Sequence, residues 1–567
     1  MSGIPQVRQV LISTLSPVHI GTGEDYTPTD YVIEEDALFE FGPEALARLP
    51  KSARDQLLQI VEQKASLEML KRVQQFFYDR RELLIPQAIN VVKVASGVSE
   101  LYQSRVGREV QEGKINQLQI ERAFYHPPTR RLLFPGSSLK GAIRTALLDR
   151  EFKKLPIEKR RQWEDRIRQA LRKQKPDREL SRFAQKLQEE LFGYSMRGGG
   201  LCRDPLRLFH TSDCAFAGPD SLNSAEVFFA VNLKKKPVQK NGQEIIRGRG
   251  PYQILECIPP LRLRAFRGTF AIADVSAADD HQDLPSLRFS FEEIAQACNE
   301  FYLPLWEEEK RLLKERGFVR ETWLEQTEKL LGSLKPRMER GDALLLRVGR
   351  HSGAEAVTVA GVRSIKINRG PKKTPAYESS PTTLWLAASQ QKAERDLLPF
   401  GWIVVEWFEL DQEPPAWEEA EAIGRQQVES MKAWLAELEG KRRAYRRRLK
   451  ETLAEEKKRE EEAARRRQEE EERKRREEAL KQLPPEARRL KALEMLFEQE
   501  KAAGRKEPQG RLANETANLL REAKAWSAEF RLQAADLAEK IYRYLDMLSG
   551  RKGRERKAKI AELREIS

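Results

Sequence analysis

The residues best placed to do chemistry in this chain lie in one string, RRLLFPGSSLKGAIRTALL, at residues 130–148. Its pattern predicts a short apolar strand over residues 132–134, a Pro-Gly-Ser-Ser turn and a helix that begins at Leu139. Ser137 or Ser138 is placed to cap that helix, since serine hydroxyls accept hydrogen bonds from first-turn N–H groups. The other first-turn N–H groups have no partner within the helix. The string therefore predicts a helix N-terminus with open donors.

Two cations accompany this helix N-terminus. Lys140 and Arg144 are four residues apart and so share one face of the predicted helix, and Gly136 in the turn is a further candidate contact. Open N–H groups and the positive end of the helix dipole attract anions, so a phosphate group is the natural ligand. The alternative is an ordinary capped helix with solvated cations. G-S-S-L-K-G lacks the spacing of a P-loop, which excludes ATP hydrolysis.

Two further glycine motifs carry candidate contacts to phosphate. The first, HIGTGED, begins at His19 and could form a backbone nest at Gly21 and Gly23, although it lacks the third glycine of a dinucleotide fingerprint. The second, RVGRHSGAEA, sets basic residues between glycines that permit close backbone approach. Its candidate contacts are Arg347, Gly349, Arg350, His351 and Gly353. The alternatives are a structural histidine at a strand end and a hairpin turn that happens to be basic.

Two basic loops add positive charge. MRGGGLCRDP sets two arginines around three glycines, and SIKINRGPKKTP carries a cluster of lysines. Such loops suit the phosphate backbone of a nucleic acid, and contacts of this kind weaken steeply as the salt concentration rises. The candidate contacts in these loops are Arg197, Arg203, Lys366, Lys372 and Lys373.

Candidate catalytic groups are sparse. Asp30 lies in an irregular loop after the first predicted strand, where a carboxylate could take part in RNA cleavage, and His19 precedes the first glycines. No spacing suggests a Ser-His-Asp or Cys-His arrangement. The four cysteines form no C-x-x-C pair and have no histidine cluster near them, so we predict neither a metal site nor a cofactor.

Composition limits the class of protein. The 567 residues include 102 Lys and Arg against 88 Asp and Glu, a net charge of +14. This balance favours a partner that carries phosphates, either nucleic acid or an anionic membrane. No N-terminal stretch resembles a signal peptide, and no run is apolar enough to span a bilayer. We therefore expect a cytoplasmic protein with reduced thiols.

Pattern and composition divide the chain into four parts. Two rounds of strand, helix and hairpin predict an α+β fold with a duplicated unit, over residues 1–240 and 241–412. The first round includes a strand predicted over residues 7–15 and a hairpin predicted over residues 31–41. The composition changes after residue 413, and residues 441–483 are nearly all Glu, Arg, Lys and Ala. Because few apolar positions are available for a heptad seam, residues 413–483 predict one long solvated helix. Residues 484–567 begin with a Pro-Pro stop and predict a small helical module, with helices over about residues 486–502 and 512–549.

Three motifs occur together and in order: LSPVHIGTGE near the start, FPGSSLKGAIRTAL in the first half, and the late loop RVGRHSG. With TPTDYVI, DPLRLFHTSD and PFGWIVVE as supporting strings, this set resembles the RAMP superfamily of CRISPR-associated proteins. Within that superfamily it is similar to the fifth, backbone-capping subunit of the type III-A (Csm) effector complex. The resemblance covers residues 6–410, and the C-terminal third departs from it.

The resemblance implies two ferredoxin-like, RRM-like domains with helical insertions, followed here by an all-α charged extension. It implies a non-catalytic RNA-binding subunit that caps the backbone filament at the 3′ side of a CRISPR RNA (crRNA) and supports crRNA 3′-end maturation in antiviral defence. The implied partners are crRNA, target RNA, the neighbouring RAMP backbone subunit, small helical subunits and host nucleases, with no membrane among them. The extension is a fused partner-binding element, a contact to the small helical subunits, or an unrelated tail.

Two enzymatic alternatives stay open. The backbone relatives cleave target RNA with an aspartate on the loop after the first strand, and Asp30 occupies a comparable place, which would make this chain a metal-dependent endoribonuclease. A crRNA-processing endonuclease would need a histidine near the first glycine motif, and His19 is the candidate. The resemblance favours the non-catalytic subunit over both.

Overall fold

The computed structural model describes residues 4–111, 114–115, 118–126, 128–197, 200–240, 242–248, 252–275, 284–369 and 374–565. The chain forms two compact units, Met1–Thr452 and Leu453–Ser567, and each has its own apolar core. The first unit is mixed α/β and holds all the described strands, whereas the described elements of the second are helical. The predicted four-part division stays a prediction, and both large sheets take strands from either side of residue 240.

The strands vary in length from two to fifteen residues. In chain order they are β1 (Gln6–Thr14), β2 (Gly21–Tyr26), β3 (Tyr31–Glu34), β4 (Ala37–Glu40), β5 (Asn90–Val94), β6 (Glu109–Gln111), β7 (Lys114–Ile115), β8 (Ile120–Ala123), β9 (Tyr125–His126), β10 (Arg131–Phe134), β11 (Phe209–Thr211), β12 (Cys214–Phe216), β13 (Glu226–Lys240), β14 (Gln243–Arg247), β15 (Gln253–Cys257), β16 (Phe266–Ile272), β17 (Ala343–Arg347), β18 (Ile365–Ile367), β19 (Ala376–Glu378), β20 (Thr383–Ala388), β21 (Leu398–Pro399) and β22 (Trp402–Glu409).

The helices include insertions between the strands and a helical C-terminal region. In chain order they are α1 (Pro43–Ala47), α2 (Lys51–Val61), α3 (Leu67–Asp79), α4 (Arg81–Leu84), α5 (Ser96–Arg105), α6 (Gly136–Lys154), α7 (Ile157–Leu171), α8 (Pro176–Phe192), α9 (Phe291–Glu315), α10 (Glu321–Arg340), α11 (Glu418–Gln482), α12 (Pro485–Ala502), α13 (Arg511–Glu522), α14 (Ala528–Tyr544) and α15 (Gly550–Glu565).

The first large sheet is built around β1. Its order is β17-β22-β1-β16-β12-β10-β9, and β11 also pairs with β16. β1 runs antiparallel to β22, with Ile12 opposite Val405, and to β16, with Val10 opposite Gly268. β1 is paired on both sides and is buried from Val10 to Thr14. The strand predicted over residues 7–15 is confirmed.

The second large sheet places the first glycine motif at an edge. Its order is β2-β8-β15-β13-β5-β4-β3, with β14 and β20 also paired to β13 and β21 paired to β20. Gly21 and Gly23 lie in β2, an exposed edge strand, where the sequence predicted a turn. The pairing of β2 with β8 shifts register between Gly21 and Asp25, and such irregularities at edges accommodate glycines. The predicted hairpin over residues 31–41 is confirmed as β3 and β4.

A buried ion-pair cluster links β22 to α10 and to the loop before β16. Glu406 is fully buried and accepts hydrogen bonds from Arg264 at 2.7 and 2.8 Å and from Arg337 at 2.6 Å. Burial lowers the pKa of Arg337, with the Glu406 charge acting in the opposite direction. The carboxylate therefore compensates two guanidinium groups that are mostly shielded from water.

The long helix α11 is solvated along only part of its length. Within the first unit, Met431 and Leu438 are buried, Trp434 Nε1 donates to Asp36 Oδ2 at 3.0 Å, and the Tyr445 hydroxyl donates to a Glu34 oxygen. Residues 451–479 are almost all exposed, as the sequence predicted for the whole helix. Among the described residues, no helix combines the length and apolar character needed to cross a membrane.

Candidate nucleic-acid interface

The helix N-terminus that the sequence predicts as an anion site already holds a carboxylate of the protein. α6 begins at Gly136, with Pro135 as its N-cap residue and no side-chain cap. Gly136 N donates to Asp213 Oδ1 at 2.8 Å. The predicted capping by Ser137 or Ser138 is therefore wrong, because the Asp213 carboxylate accepts the first N–H and lies at the positive end of the helix dipole. Ser137 is exposed in the first turn.

Close packing explains the glycine at this helix start. A Cβ on Gly136 would lie 2.5 Å from the carbonyl oxygen of Thr211 and 2.7 Å from that of Ser212. Thr211 Oγ1 also donates to the carbonyl oxygen of Gly136 at 3.0 Å. β11 therefore supports the start of α6 directly, and Gly136 has a packing role.

Basic residues gather around a carboxylate beside α6. Arg144 Nη2 lies 2.5 Å from Asp204 Oδ2, which ties the helix to the loop before β11. Lys140, one turn earlier, is half-buried, and burial followed by the charge of Arg144 lowers its pKa. Arg203 precedes Asp204 and is exposed. Within the described part of the chain neither Lys140 nor Arg203 forms an ion pair, so their charges are available to phosphate. We call Lys140, Arg144 and Arg203 the Lys140 patch.

The first and third glycine motifs meet in the fold. Arg350 N donates to the carbonyl oxygen of His19 at 2.8 Å. Gly349 has φ +81°, and a Cβ there would meet the same carbonyl oxygen well inside van der Waals contact. Only glycine fits this approach. The Arg350 guanidinium pairs with Glu121 on β8. We call the contact of His19, Gly349 and Arg350 the glycine junction.

His19 is the buried side of this junction. Its ring is 1% exposed, and Nδ1 donates to the carbonyl oxygen of Glu256 at 2.6 Å. Nε2 lies 3.9 Å from a Glu121 oxygen and packs against Gly21, where a Cβ would be 2.9 Å away. Burial lowers the pKa of His19, so the ring is neutral at pH 7. This geometry supports the structural interpretation of the residue.

The second motif is joined to the third through a buried tyrosine. The Tyr302 hydroxyl on α9 lies 3.1 Å from the carbonyl oxygen of Ala142 in α6 and 3.3 Å from that of Ala356 after the late glycine loop. Ala360 N also donates to Asp149 Oδ1 of α6 at 2.8 Å. The three motifs, far apart in the sequence, therefore form one connected structure.

Arg347 does not fit its predicted role as a ligand contact. It is 8% exposed, its Nε donates to the carbonyl oxygen of Phe400 at 3.0 Å, and its Nη2 lies 2.8 Å from Glu309. The guanidinium also lies over the ring of Trp402. Because β17 is buried along its whole length, the arginine that ends it is held inside the protein.

His351 is a neutral residue in the loop. Burial, followed by the nearby charge of Arg350, lowers its pKa to about 3. Nε2 donates to Gln253 Oε1 at 2.7 Å, and the ring stacks on Trp385 with centroids 4.5 Å apart. His351 therefore contributes shape to the loop and no positive charge.

The other predicted contacts are dispersed. Lys366 pairs with Asp177 at 2.5 Å, which raises the pKa of the lysine. Arg197 and Gly23 are exposed, and Gly353 lies beside the Arg347 guanidinium. The two remaining predicted contacts, Lys372 and Lys373, lie outside the described residues.

Asp30 closes the turn between β2 and β3. Its Oδ2 accepts hydrogen bonds from Thr27 N at 3.2 Å and Thr27 Oγ1 at 2.7 Å, and its Oδ1 accepts one from Thr29 Oγ1 at 3.3 Å. Aspartate commonly stabilises turns in this way. Both carboxylate oxygens of Asp30 therefore stabilise the turn.

A family model for the RAMP superfamily matches residues 11–483 of the chain. The chain belongs to the RAMP superfamily. The comparison with curated proteins finds no match.

Two solved structures are similar to this RAMP chain. One is a chain in the cryo-EM structure of a Csm–crRNA–target RNA ternary complex from a type III-A CRISPR-Cas system, with 18% identity over 71% of this chain and 100% of that chain and a TM-score of 0.41. The other is the crystal structure of T. onnurineus Csm5, with 17% identity over 70% of this chain and 100% of that chain and a TM-score of 0.37.

A buried carboxyl group lies beneath the glycine junction of this RAMP chain. Glu256 accepts hydrogen bonds from Tyr125 at 2.7 Å, Tyr26 at 3.1 Å and Ala123 N at 2.7 Å, and its own carbonyl oxygen receives the His19 bond. Burial raises the pKa of Glu256 to about 7, against an ordinary value of 4.5. The group is therefore protonated over a pH range in which its unfolded counterpart is ionised.

The raised pKa of Glu256 predicts a pH-dependent stability. The folded state binds a proton more tightly than the unfolded state, so this contribution is full below about pH 4.5 and is lost as the pH rises through 7. We expect wild type to lose stability relative to Glu256→Gln between pH 5 and pH 8, measured by urea unfolding at each pH. Parallel profiles for the two proteins would contradict the prediction.

Several residues of the interface carry no signal in the sequence. Asp213 caps α6 from 77 residues away, and Tyr302 reaches Ala142 across 160 residues. Asp204 and Glu121 neutralise arginines of the predicted site. Asp213 lies between β11 and β12, and a polar residue between two strands is too common in sequences to identify a helix cap.

Proposed function

We propose that this chain is a non-catalytic RNA-binding subunit of a type III-A CRISPR effector complex. In this proposal it caps the backbone filament at the 3′ side of crRNA and supports crRNA 3′-end maturation in antiviral defence. Membership of the RAMP superfamily supports the proposal. So does the set of motifs by which the sequence resembles the fifth, capping subunit.

The observation that carries the proposal is the meeting of the three motifs. The glycine junction joins the first motif to the third, and Tyr302 joins the third to α6. These hydrogen bonds hold the three motifs, which are far apart in the sequence, in one fixed arrangement. A surface that tracks an RNA backbone needs such a fixed arrangement of close backbone approaches and cations.

The proposed contacts to phosphate are side chains with unpaired polar groups. Lys140 and Arg203 supply charge, and the exposed Ser137 supplies a hydroxyl. Arg144 acts through Asp204 as a positioning residue. Contacts of this type hold RNA with little regard to sequence.

The wider setting follows from the same proposal. In this proposal the partners of the chain are crRNA, target RNA, the neighbouring backbone subunit and small helical subunits. Host nucleases trim the crRNA 3′ end, and the complex acts in the cytoplasm. We also propose that residues 1–240 and 241–412 derive from two ferredoxin-like domains, whose strands are shared between the two large sheets. The antiparallel pairing of most neighbouring strands is compatible with that origin.

Guide occupancy tests the proposed function. We expect Lys140→Ala with Arg203→Ala to lower the amount of crRNA per assembled complex, because two phosphate contacts are lost. Arg144 is left in place, since its removal would leave Asp204 without its partner. The matched control is Lys154→Ala with Lys159→Ala, which removes two exposed lysines from the far end of α6 and from α7. Equal occupancy in the two variants would contradict the proposal.

The enzymatic alternatives predict a different outcome. We expect Asp30→Asn to leave the pattern of target-RNA cleavage by the complex unchanged when the assay contains magnesium. The Asp30 carboxylate is hydrogen-bonded within the turn between β2 and β3 and is therefore assigned a structural role. Asparagine keeps an acceptor for Thr27 and removes the charge that a metal would need. Loss of one terminal cleavage position would favour the endoribonuclease. Likewise, cleavage of repeat RNA by the isolated chain, abolished in His19→Ala, would favour a crRNA-processing enzyme.

A further inference from the structure

The second unit carries a group of lysines that the proposed function does not use. Lys501 lies near the end of α12, Lys506 in the loop that follows, and Lys540 in α14, and all three are exposed. Their ammonium groups surround two aromatic rings, Phe497 and Tyr544, whose centroids are 5.4 Å apart. We call the three residues the lysine cluster.

The rings bring the three cations together. Lys501 Nζ and Lys540 Nζ lie 5.8 and 5.7 Å from the centroid of Phe497, and Lys506 Nζ lies 5.1 Å from that of Tyr544. The Tyr544 hydroxyl also donates to the carbonyl oxygen of Arg505, which fastens the loop. A cation over the face of an aromatic ring is attracted by the negative charge of that face.

The members of the lysine cluster have no acidic partner among the described residues, so their positive charge is not compensated by an ion pair. Within residues 484–565 many basic side chains pair with carboxylates, whereas no described carboxylate lies within ion-pair distance of any member of the cluster. Arg505, which is next to it, is 4.0 Å from Glu500. The other paired cations are Arg489 with Glu515 and Glu522, Lys491 with Glu494, Lys524 with Glu562, Arg543 with Glu539, Arg551 with Glu555, and Arg564 with Asp536 and Glu539.

We propose that the lysine cluster is a second binding site for the phosphate backbone of a nucleic-acid strand. Three like charges drawn from three segments repel one another in the free protein, and a polyanion relieves that repulsion. Phe497 is 2% exposed and cannot stack on a base, and the half-buried ring of Tyr544 already carries the Lys506 ammonium, so the contact is to phosphate. Lysine binds phosphate as a point charge without a fixed geometry, which suits a contact that ignores sequence.

The charge of the same unit favours nucleic acid over an acidic protein segment. α15 carries seven basic and three acidic residues, so the unit has an excess of positive charge outside the cluster as well. A nucleic acid presents a charge at every residue, whereas a protein segment rarely does. This inference concerns different residues from the proposed function and does not depend on it.

Photo-crosslinking of the full chain tests the site. We expect 4-thiouridine RNA, and DNA of the same sequence with 4-thiothymidine, to label peptides around residues 497–510 and 540–544. Lys501→Gln with Lys506→Gln and Lys540→Gln should abolish this labelling and retain labelling around residues 137–144. The control, Lys491→Gln with Lys524→Gln, removes exposed lysines that are ion-paired in the same unit and should keep both.

The outcomes separate this inference from the proposed function. Labelling of the first unit alone, or labelling that survives the triple substitution, would overturn the inference and leave the proposed function standing. Labelling of the second unit alone would support the inference and count against the proposed function. Labelling by RNA only would overturn the assignment to the phosphate backbone, and equal competition by poly-glutamate of the same charge would overturn the assignment to nucleic acid.

Discussion

Glu406→Ala is expected to lower the free energy of unfolding by about 3–5 kcal/mol, because it leaves two guanidinium groups in a shielded site without their counter-charge. Arg264 and Arg337 both donate to this carboxylate, which is fully buried on β22. Urea unfolding followed by tryptophan fluorescence measures the effect, since eight of the nine tryptophans lie before residue 453 and report on the first unit.

The control for this prediction lies on the same strand. Glu409 also pairs with an arginine, Arg8, but its side chain is 64% exposed. Exposed ion pairs contribute about 0–1 kcal/mol, so Glu409→Ala should change stability little. Equal losses of unfolding free energy in the two variants would contradict the claim that burial makes the Glu406 ion pairs more stabilising than the exposed pair.

Gly349→Ala is expected to destabilise the first unit by about 2–5 kcal/mol and to weaken RNA binding. An alanine at φ +81° costs about 1–2 kcal/mol, and its Cβ would also collide with the carbonyl oxygen of His19, adding about 1–3 kcal/mol of overpacking. Relief of the collision would separate the first motif from the third and disrupt the hydrogen bond from Arg350 N. Unfolding and RNA titration of the same variant measure both effects.

Gly317→Ala is the matched control for this substitution. Gly317 has φ +61°, and a Cβ there would meet no atom within 4 Å. Gly317→Ala should therefore lower the free energy of unfolding only by the cost of an alanine at positive φ, about 1–2 kcal/mol. It should bind RNA as wild type does. Equal losses in the two variants would mean that the contact with His19 is unimportant.

Local features of this fold are predictable because they depend on neighbouring residues. Alternation within residues 7–15 predicts β1, and the residues between Tyr31 and Phe41 predict the first hairpin. The charged composition predicts α11, with bounds close to those observed. By contrast, the predicted helix over residues 512–549 is broken at Trp526, whose backbone is extended, and composition alone could not reveal that break.

The interface illustrates which features need the tertiary structure. The three motifs are visible in the sequence, but the residues that pair with them and alter their charge or accessibility are not. The Asp213 carboxylate accepts a hydrogen bond at the helix N-terminus that was predicted to bind phosphate. Asp204 forms an ion pair with Arg144 and so neutralises its charge. Burial makes His351 neutral and removes Arg347 from the surface. Each partner comes from a distant strand or loop, and single-sequence patterns contain no information on such contacts.

The salt dependence of RNA binding tests the central claim most directly. The affinity of the purified chain for a single-stranded RNA is measured over a series of potassium chloride concentrations, for wild type and for Lys140→Ala with Arg203→Ala. Each phosphate contact adds about 0.7 to the slope of log affinity against log salt, so the double variant should lose about 1.4. The control, Lys154→Ala with Lys159→Ala, should keep the wild-type slope. Identical slopes for wild type and the Lys140 patch variant would contradict the claim that this surface holds the RNA backbone.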